Sequence, residues 1–319
     1  MITRHGTYNL FNLSIPQSDE EKERYARLVG TIRSLDVHSL AVQEVLGHTP
    51  EDAGRLLQQL ADDTGLSCMT APNPASGAPA MPAIAASQHG YPDKNGVSRG
   101  NYHVGILRNP EVQPVPGGWR AYNGAPDFWH ALATLVLDFG GTQLKIGSFQ
   151  GDPFRPDWRY NEARRVTSAF LGQEGLLGMD ANCVSADLSP STGEYYDSDP
   201  YTEQDHDMLE YQILWREDPS QPPVADRRAA DLMLRQGLLD TAALMDGPWE
   251  ATCGHWIDDS GTPDVWGLRR IDVLRATRRL ATKVRAHRFV RTADSLAAAD
   301  HIPALVEVET GGLPEEAAP

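Results

Sequence analysis

The sequence predicts a single domain of α/β or α+β class, in which helices cover the faces of β-sheets. Short apolar segments typical of strands alternate with amphipathic helical segments in the first part of the chain. Gly140 and Gly141 form a two-residue hairpin signal between two strand-like segments. The 319 residues are 40% hydrophobic and 23% charged, which is ordinary for a globular protein, and the number of predicted strands fits two stacked sheets.

The first 65 residues are predicted to form a strand, a helix, a second strand and a second helix. The segment "MITRHGTYNLFNL" has a strand-like pattern, and "DVHSLAVQEV" is typical of a buried strand. The first helix follows Ser18 as its N-cap, with Glu21 as the capping-box partner. The second helix has Thr49 as its N-cap, Pro50 in its first turn and Gly65 at its end.

The remaining elements follow an Ala-, Pro-, Gly- and Ser-rich segment, 71–100, which is predicted to be a long surface loop. Strands are predicted at "NYHVGILRN", "HALATLVLDF", "TQLKIGSFQ", "GLLGMD", "RRIDVLRA", "KVRAHRFVR" and "IPALVEVE", and helices at "RYNEARRVTSAFL" and "ADRRAADLMLRQGLLD". The acidic and aromatic segment 187–223 interrupts this pattern and is predicted to be an insertion, either a surface loop or a lid over the substrate. The domain spans 1–310, and 311–319 is predicted to be a disordered tail.

The charge is strongly negative overall and unevenly distributed. The formal net charge is −16, yet the segment Arg269–Arg291 has nine Lys or Arg residues against the single acid Asp272, a local charge of +8. The rest of the chain therefore carries −24, which disfavours binding of long duplex nucleic acid. Two interpretations of the basic strip stay open: it holds a phosphate, or it is a pair of solvated edge strands protected by arginines.

Cysteine usage and the N-terminal sequence indicate a cytoplasmic protein. Cys68, Cys183 and Cys253 are odd in number and have no metal-ligand spacing, so they are predicted to be reduced thiols. The N-terminal segment lacks the apolar stretch of a secretory signal, and no segment is long and apolar enough for a membrane span.

Polar or acidic residues lie at the ends of five predicted strands. Side chains two apart in a strand share a face, so Asp180 and Asn182 are expected to project to the same side. Carboxylates gathered at one edge repel each other unless a hard cation such as Mg²⁺ neutralises them. Each residue alone also has a structural interpretation, as a cap, an Asx turn or a solvated side chain. The five positions are Asn9, Glu44, the pair Asp180 and Asn182, Asp272, and the pair Asp300 and His301.

Five segments in chain order resemble the motif series of the endonuclease/exonuclease/phosphatase superfamily. They are "TYNLFNL", "LAVQEV", "GLLGMDANCVSA", "RRIDVL" and "AADHIPALVEV", and the resemblance spans about residues 4–309. The superfamily includes pancreatic-type DNase, apurinic endonuclease, inositol-polyphosphate 5-phosphatases and neutral sphingomyelinases. The resemblance implies a four-layer sandwich of two packed mixed β-sheets flanked by helices.

The resemblance also implies a metal site and a water-activating group. Glu44 matches the main ligand of Mg²⁺ or Mn²⁺ in the family, with Asn9 and Asp300 nearby. Asp180 is expected to orient or deprotonate the attacking water. Asn182 is expected to hold that water and a phosphoryl oxygen.

The remaining matches concern the phosphoryl group, and two of them depart from the family pattern. His301 is expected to face the phosphate and to be fixed by Asp272, which is sound chemistry because a protonated imidazole stabilises negative charge on phosphoryl oxygens. Gln150 stands where the family usually has histidine; an amide donates a hydrogen bond to phosphate but carries no proton to a leaving group. Ala181 replaces an aromatic residue and is expected to affect core packing more than chemistry. Arg159 is expected either to contact phosphate or to be a solvated residue at a helix start.

The sequence therefore predicts a magnesium-dependent phosphoesterase, a phosphodiesterase or nuclease. Its substrate is expected to be a short or single-stranded nucleic acid or a small phosphorylated molecule, because of the negative charge. Two alternatives stay open: a family member recruited to different small-metabolite chemistry, and a catalytically weakened binding protein of the same fold.

Overall fold

Two mixed β-sheets of six strands each pack face to face in the computed structural model, which describes residues 1–90, 92, 96–218, 220–258 and 260–311. In chain order the strands are β1 (Ile2–Leu13), β2 (Ser39–Gly47), β3 (Ile84–Ala85), β4 (Asn101–Arg108), β5 (Gln113–Tyr122), β6 (Leu132–Asp138), β7 (Gln143–Gln150), β8 (Gly175–Asp180), β9 (Ile213–Leu214), β10 (Val224–Ala225), β11 (Leu238–Asp240), β12 (Asp272–Thr277), β13 (Val284–Phe289) and β14 (Ala304–Glu309). The helices are α1 (Asp19–Leu35), α2 (Pro50–Thr64), α3 (Pro156–Ala169), α4 (Arg228–Arg235), α5 (Thr241–Met245), α6 (Arg278–Ala281) and α7 (Ala293–Ala298), and a 3₁₀ turn spans Leu209–Tyr211.

The strand order explains how distant segments meet. The first sheet has the order β13-β14-β1-β2-β4-β3, the second has the order β11-β12-β8-β7-β6-β5, and β9 pairs with β10 separately. Within the two large sheets, β1 runs parallel to β2 and β7 runs parallel to β8, while the other pairs are antiparallel. The predicted fold class, two packed mixed sheets flanked by helices, is confirmed.

The two sheets approach each other closely at Gly178 of β8. A Cβ atom at this glycine would lie 2.7 Å from Cβ of Ala41 and 2.9 Å from Cβ of Thr7, so β8 packs against β1 and β2 only because position 178 has no side chain. Aliphatic side chains from both sheets fill the space between them, among them Val104, Ile106, Leu135, Leu274 and Val306. Helices α1 and α2 cover the outer face of the first sheet, and α3 and α4 cover that of the second.

Helices α1 and α2 begin at the N-cap residues that the sequence predicts. Ser18 caps α1 by accepting a hydrogen bond from the backbone N–H of Glu21, but the Glu21 carboxylate accepts from Gln17 N instead of closing the capping box. Thr49 caps α2 and forms a complete box with Asp52. The sequence identified these helix starts because capping depends on residues close together in the chain.

Several elements differ from the prediction: β9, β10, α5, α6 and α7 were not predicted, and three further differences have a clear physical reason. The predicted loop 71–100 contains β3, whose Ile84 and Ala85 are buried and pair with β4. The helix predicted over "ADRRAADLMLRQGLLD" ends at Arg235, because Gly237 has φ +90° and redirects the chain into β11. Strand β5 was not predicted, since its Pro and Gly residues mask any alternating pattern.

The insertion 187–223 is folded and has a small core of its own. Tyr201, Leu209 and Ile213 of the insertion are buried together with Val184 and Ala225. The residues of the predicted tail from 312 onward lie outside the described residues.

The predicted basic strip is divided between the interior and the surface: Arg269, Arg270 and Arg275 are buried, whereas Arg278, Arg279, Arg285, Arg288 and Arg291 are exposed. Arg270 is fully buried and pairs with Asp197 at 2.7 Å and with Asp240 at 2.5 Å. Arg275 is also fully buried and pairs with Asp187 at 2.8 Å. Other residues of the strip pair as well: Arg269 with Asp264, Lys283 with Glu174, Arg285 with Glu309, and Arg291 with Glu250. The strip therefore does not form one free cationic surface.

Two further expectations concern the thiols and membranes. Cys68, Cys183 and Cys253 are all buried and free. Among the helices that the structure describes, none has the length and apolar character needed to cross a bilayer.

Candidate active site

The strand directions bring the candidate residues to one edge of the sandwich. Strands β1, β2, β7 and β8 all end there, because β1 is parallel to β2 and β7 is parallel to β8. Strand β12 is antiparallel to β8, so its first residue, Asp272, pairs with the last residue of β8, Asp180. Strand β14 is antiparallel to β1, which places the preceding residues, Asp300 and His301, at the same edge. Residues far apart in the chain thus form a common site.

Irregular backbone in β1 and β2 shapes the site around Glu44. The pairing of β1 with β2 shifts register between Asn9 and Leu13, and the pairing of β2 with β4 shifts in the same region. Phe11, Asn12 and Glu44 have φ values of 49°, 55° and 62°, in the left-handed region that non-glycine residues rarely adopt. The distortion allows the backbone N–H of Asn12 to donate to Oε2 of Glu44 at 2.9 Å.

Two amide side chains hold the carboxylates of Glu44 and Asp180 side by side. Asn9 Nδ2 donates to Glu44 Oε1 and to Asp180 Oδ2, both at 3.0 Å. Gln150 Nε2 donates to Glu44 Oε1 at 3.0 Å and to Asp180 Oδ2 at 3.4 Å. The amide oxygen of Asn9 accepts from Phe11 N, so Asn9 is turned to orient the two acids. The uncharged amide groups of Asn9 and Gln150 thus lie between the carboxylates of Glu44 and Asp180 and donate hydrogen bonds to both.

Asp180 and Asn182 meet through a turn instead of through strand alternation. Strand β8 ends at Asp180, and Asn182 has φ 48°, so the expected period-two projection does not apply to Asn182. Its backbone N–H donates to Asp180 Oδ1 at 3.0 Å, which is the Asx-turn contact, and its Nδ2 donates to Gly151 O at 3.0 Å. Ala181 packs into the core beneath α3, away from the site.

His301 and Asp272 form a short, buried ion pair. His301 Nδ1 donates to Asp272 Oδ2 at 2.6 Å. Burial alone lowers the pKa of His301, but the negative charges of Asp272 and Asp300 and the hydrogen bond to Asp272 outweigh it and hold the pKa well above its usual range. The imidazole is therefore held in its cationic form, with Nε2 4.0 Å from Asp300 Oδ1.

Asp180 and Asp300, at the same edge of the sandwich, are difficult to ionise at the same time as their acidic neighbours. Burial raises the pKa of Asp180 to about 6, and the charges of Asp272 and Glu44 add to this effect while His301 opposes it. Burial likewise raises the pKa of Asp300 to about 7, again against the influence of His301. Such a set of acids favours a cation that neutralises it.

The oxygen donors fit a divalent metal of the Mg²⁺ type. Asp300 Oδ1 is buried without a hydrogen-bond partner among the described residues, and Glu44 is close enough for its charge to help raise the pKa of Asp300. No cluster of three or more His, Cys, Asp or Glu side chains suited to a metal occurs in the described part of the chain. Mg²⁺ commonly takes only one or two carboxylates and keeps several waters, so a pair of acids suits it better than it suits a softer ion.

Arg159 differs from the sequence interpretations. Its guanidinium is buried and donates to two backbone carbonyls, Asp152 O and Tyr211 O, both at 2.7 Å. It is buried, so the solvated alternative is wrong, and these two hydrogen bonds use its guanidinium to hold backbone carbonyls. Its place beneath the loop after β7 makes it a support for that loop.

Sequence reasoning did not single out three residues that lie next to the site, namely Arg24, Thr252 and Tyr8. Arg24 of α1 donates to Leu10 O at 3.3 Å and to Ala298 O at 2.9 Å, and so joins the two segments that lead to Asn9 and to Asp300. It occurs in "EEKERYARL", where an arginine has the pattern of a solvated helix residue.

Thr252 and Tyr8 lie on the His301 side of the site, near Asp272. Thr252 Oγ1 accepts from the backbone N–H groups of Ile271 and Asp272, both at 3.1 Å. Tyr8 is fully buried, and the described residues offer its hydroxyl no hydrogen-bond partner. Tyr8 lies inside a quoted motif, whereas only the fold brings Thr252 to Asp272.

Comparison with known proteins identifies the fold. No protein-family model matches the chain, and no curated protein does. An endonuclease/exonuclease/phosphatase family protein from Bacteroides thetaiotaomicron superposes with a TM-score of 0.54 at 14% identity, over 97% of both chains. An AP endonuclease from Archaeoglobus fulgidus gives a TM-score of 0.57 at 12% identity, over 97% of this chain and 100% of that chain. A mannosyl-6-phosphatase from Bacteroides thetaiotaomicron gives 0.54 at 13% identity, with the same coverage.

Proposed function

Because the chain has the fold of the endonuclease/exonuclease/phosphatase superfamily, we propose that it is a divalent-metal-dependent phosphoesterase. The observation that carries this proposal is the meeting of Glu44 and Asp180, bridged by amides, with the ion pair of His301 and Asp272 on one edge. Carboxylates for a metal and a water, next to an imidazolium for phosphoryl oxygens, are the groups that hydrolysis at phosphorus requires.

Glu44 and Asp300 would hold Mg²⁺ or Mn²⁺. Asn9 orients Glu44 through its Nδ2, and the Asn12 N–H fixes the second oxygen of Glu44. When bound, the metal supplies Lewis acidity towards phosphoryl oxygen.

Asp180 acts as the general base. It takes a proton from a water molecule that the Asn182 amide helps to orient, the water oxygen bonds to phosphorus, and the bond from phosphorus to the leaving oxygen breaks. The imidazolium of His301, fixed by Asp272, donates a hydrogen bond to a phosphoryl oxygen and stabilises its growing negative charge. The leaving oxygen takes its proton from water, because the Gln150 amide has none to give.

The substrate is a short or single-stranded nucleic acid or a small phosphorylated molecule. The net charge of −16 opposes the approach of a long polyanion, and the buried arginines of the basic strip, Arg270 and Arg275, are paired with acids. The similar structures include an AP endonuclease and a sugar phosphatase, so polymer and small-molecule substrates both occur on this fold.

The second candidate function is that of a binding protein of the same fold with weakened catalysis, and the presence of Gln150 favours it. Its amide is occupied by Glu44 and Asp180, and it replaces a group able to transfer a proton. Metal-dependent binding of a phosphate ester without product would support this candidate. Turnover of any ester would exclude it.

The test compares Asp180→Asn with Asp36→Asn, the same change at an exposed position at the opposite end of β2. Hydrolysis of bis-p-nitrophenyl phosphate, a single-stranded oligonucleotide and plasmid DNA is measured with Mg²⁺, Mn²⁺ or EDTA. We expect turnover with metal and none in EDTA, and a loss of about 100-fold or more in kcat for Asp180→Asn alone. Unchanged turnover in Asp180→Asn would place the chemistry elsewhere, and a folded wild type inactive on every ester would contradict the proposal.

A further inference from the structure

A second feature, which we name the aromatic cleft, lies between the loop after β7 and the insertion. Its walls are formed by the segments 154–157, 210–211 and 213–215 together with Arg228, and the open cleft between them has a volume of about 470 Å³. This volume is in the range of small-molecule sites. Phe154, Tyr211 and Trp215 supply three aromatic rings to its walls, and the ring of Tyr211 meets that of Phe154 edge to face at 5.5 Å.

The aromatic cleft is continuous with the candidate active site through the backbone. Gln150, the last residue of β7, contacts Glu44, and the next carbonyl, Gly151 O, accepts from Asn182. Phe154 follows four residues after Gln150, which limits the separation of their Cα atoms to about 14 Å. A group bound in the cleft can therefore belong to the same small molecule as a phosphoryl group at the site.

Buried polar side chains of α3 fix the shape of this region. Arg159 joins the two walls by donating to Asp152 O and to Tyr211 O. Glu162 accepts from the backbone N–H groups of Asp152 and Trp129, which holds the loop after β7 against the segment that contains Trp129. Both side chains are buried, so the cleft is built into the fold.

The charges of the aromatic cleft cancel. Arg155 and Arg228 oppose Asp157 and Glu210, so the formal charge of its wall is zero. Arg228 pairs with Asp157 at 2.8 Å, and Arg155 pairs with the buried Asp152 at 2.6 Å. A wall without net charge does not attract a phosphate backbone. Its aromatic rings and its guanidinium groups, which are paired with acids, favour binding of a flat, uncharged ring.

Stacking already organises this surface. The guanidinium of Arg155 lies 4.4 Å from the ring centre of Trp129 and 4.8 Å from that of Trp158. Trp215 is 69% exposed and the adjacent Leu214 is 38% exposed, so this wall of the cleft presents contiguous apolar surface, as ligand-binding grooves do. We infer that the aromatic cleft binds a planar, uncharged ring that the substrate carries beside its scissile phosphoryl group, with Trp215 as the stacking residue. This inference rests on the proposed phosphoesterase function and narrows its substrate class.

The test uses esters that share one leaving group. Benzyl p-nitrophenyl phosphate and cyclohexylmethyl p-nitrophenyl phosphate have the same charge and leaving group and differ only in the aromaticity of the other substituent. Thymidine 5′-(p-nitrophenyl phosphate) adds a nucleobase, which separates a nucleotide substrate from a simple aryl ester. We expect kcat/KM to be about fivefold or more higher for at least one ring ester than for the cyclohexylmethyl ester.

The variant Trp215→Ala should abolish this preference. Its matched control is Tyr195→Ala, which removes another exposed aromatic ring of the insertion that does not line the aromatic cleft. The control should keep the wild-type preference. Equal kcat/KM for all three esters in the wild type, or the same loss in both variants, would overturn the ring site and leave the phosphoesterase proposal intact.

A binding measurement separates the two proposals. Saturation-transfer difference NMR in EDTA compares benzyl phosphate with cyclohexylmethyl phosphate. We expect ring-proton signals from benzyl phosphate that Trp215→Ala removes and Tyr195→Ala retains. Such signals without hydrolysis of any ester would keep the ring site and reject the reaction, whereas their absence from the wild type, together with no kinetic preference for either ring ester, would reject the ring site.

Discussion

Glu162 shows at the level of one residue how the loop beside the active site is held. Its carboxylate oxygens accept from Trp129 N at 2.6 Å and from Asp152 N at 2.9 Å, and the side chain is fully buried. Burial raises the pKa of Glu162 to about 8, although the two backbone hydrogen bonds favour the ionised form. The folded protein therefore binds this proton more tightly than the unfolded chain does.

This shift predicts a pH dependence of stability. The contribution of the raised pKa is fully present below the unfolded value, near 4.5, and is lost as the pH rises towards the folded value near 8. Between about pH 5 and pH 8, the free energy of unfolding of the wild type should fall relative to that of Glu162→Gln, by up to about 4 kcal/mol. Urea unfolding of both proteins across this range measures the difference. Parallel curves would contradict the prediction, whatever the offset between them.

The site residues divide according to whether their signal is local. Glu44, Asp180 and His301 were predicted because each follows or precedes an apolar strand within a short motif. The contacts of Arg24 and Arg159 depend on backbone carbonyls of segments remote in sequence, and no spacing along the chain encodes them. An arginine that supports backbone therefore has the same sequence pattern as an arginine in solvent.

At the scale of elements, the bulged ends of β1 and β2 determine where the Glu44 carboxylate lies. The backbone of Asn12 is left-handed, and its N–H donates to Glu44 Oε2. Left-handed non-glycine residues each cost about 1–3 kcal/mol and persist where the surrounding structure enforces them. Here the distortion places a hydrogen-bond donor against the acid that is proposed to hold the metal.

Two substitutions at position 12 separate conformation from contact. Asn12→Gly keeps the N–H and adopts a positive φ without strain, so stability should change by less than about 1 kcal/mol and activity should persist. Asn12→Val places a β-branched residue at a positive φ, and we expect a loss of about 1–3 kcal/mol together with a lower kcat. Urea unfolding and hydrolysis of bis-p-nitrophenyl phosphate measure both effects. Equal behaviour of the two variants would show that the bulge does not position Glu44.

The elements that the sequence predicted are those with strong local signals. Helices α1 and α2 have caps, and the hairpin of β6 and β7 has its glycine pair, with φ values of 68° and 92°. Strands β3 and β11 are two and three residues long, too short for any periodicity, and they exist because a neighbouring strand pairs with them. Tertiary pairing, and not local preference, determines such segments.

At the scale of the whole molecule, the fold rearranges the charge pattern of the sequence. The basic strip looked like a surface feature, but Arg270 and Arg275 are fully buried with their acidic partners, and Asp197 links the insertion to the core. Removing one member of such a pair leaves an uncompensated buried charge, so Arg270 and Arg275 stabilise the fold together with their acidic partners. Arg285 and Arg288 are exposed on β13, the edge strand of its sheet, as the alternative interpretation of the strip suggests.

The electrostatic field of this negatively charged protein predicts that salt increases, and does not decrease, its activity on nucleic acid. Nucleic-acid-binding proteins lose affinity as salt rises, because their cationic surfaces compete with counterions. A chain of formal charge −16 repels a polyanion, and salt screens that repulsion. Raising NaCl from about 20 mM to about 200 mM at constant Mg²⁺ should therefore increase kcat/KM for a single-stranded oligonucleotide, while the value for singly charged bis-p-nitrophenyl phosphate should change much less. A steep fall for the oligonucleotide would instead reveal a cationic track along the site, and polymer cleavage would then become the better description of the reaction.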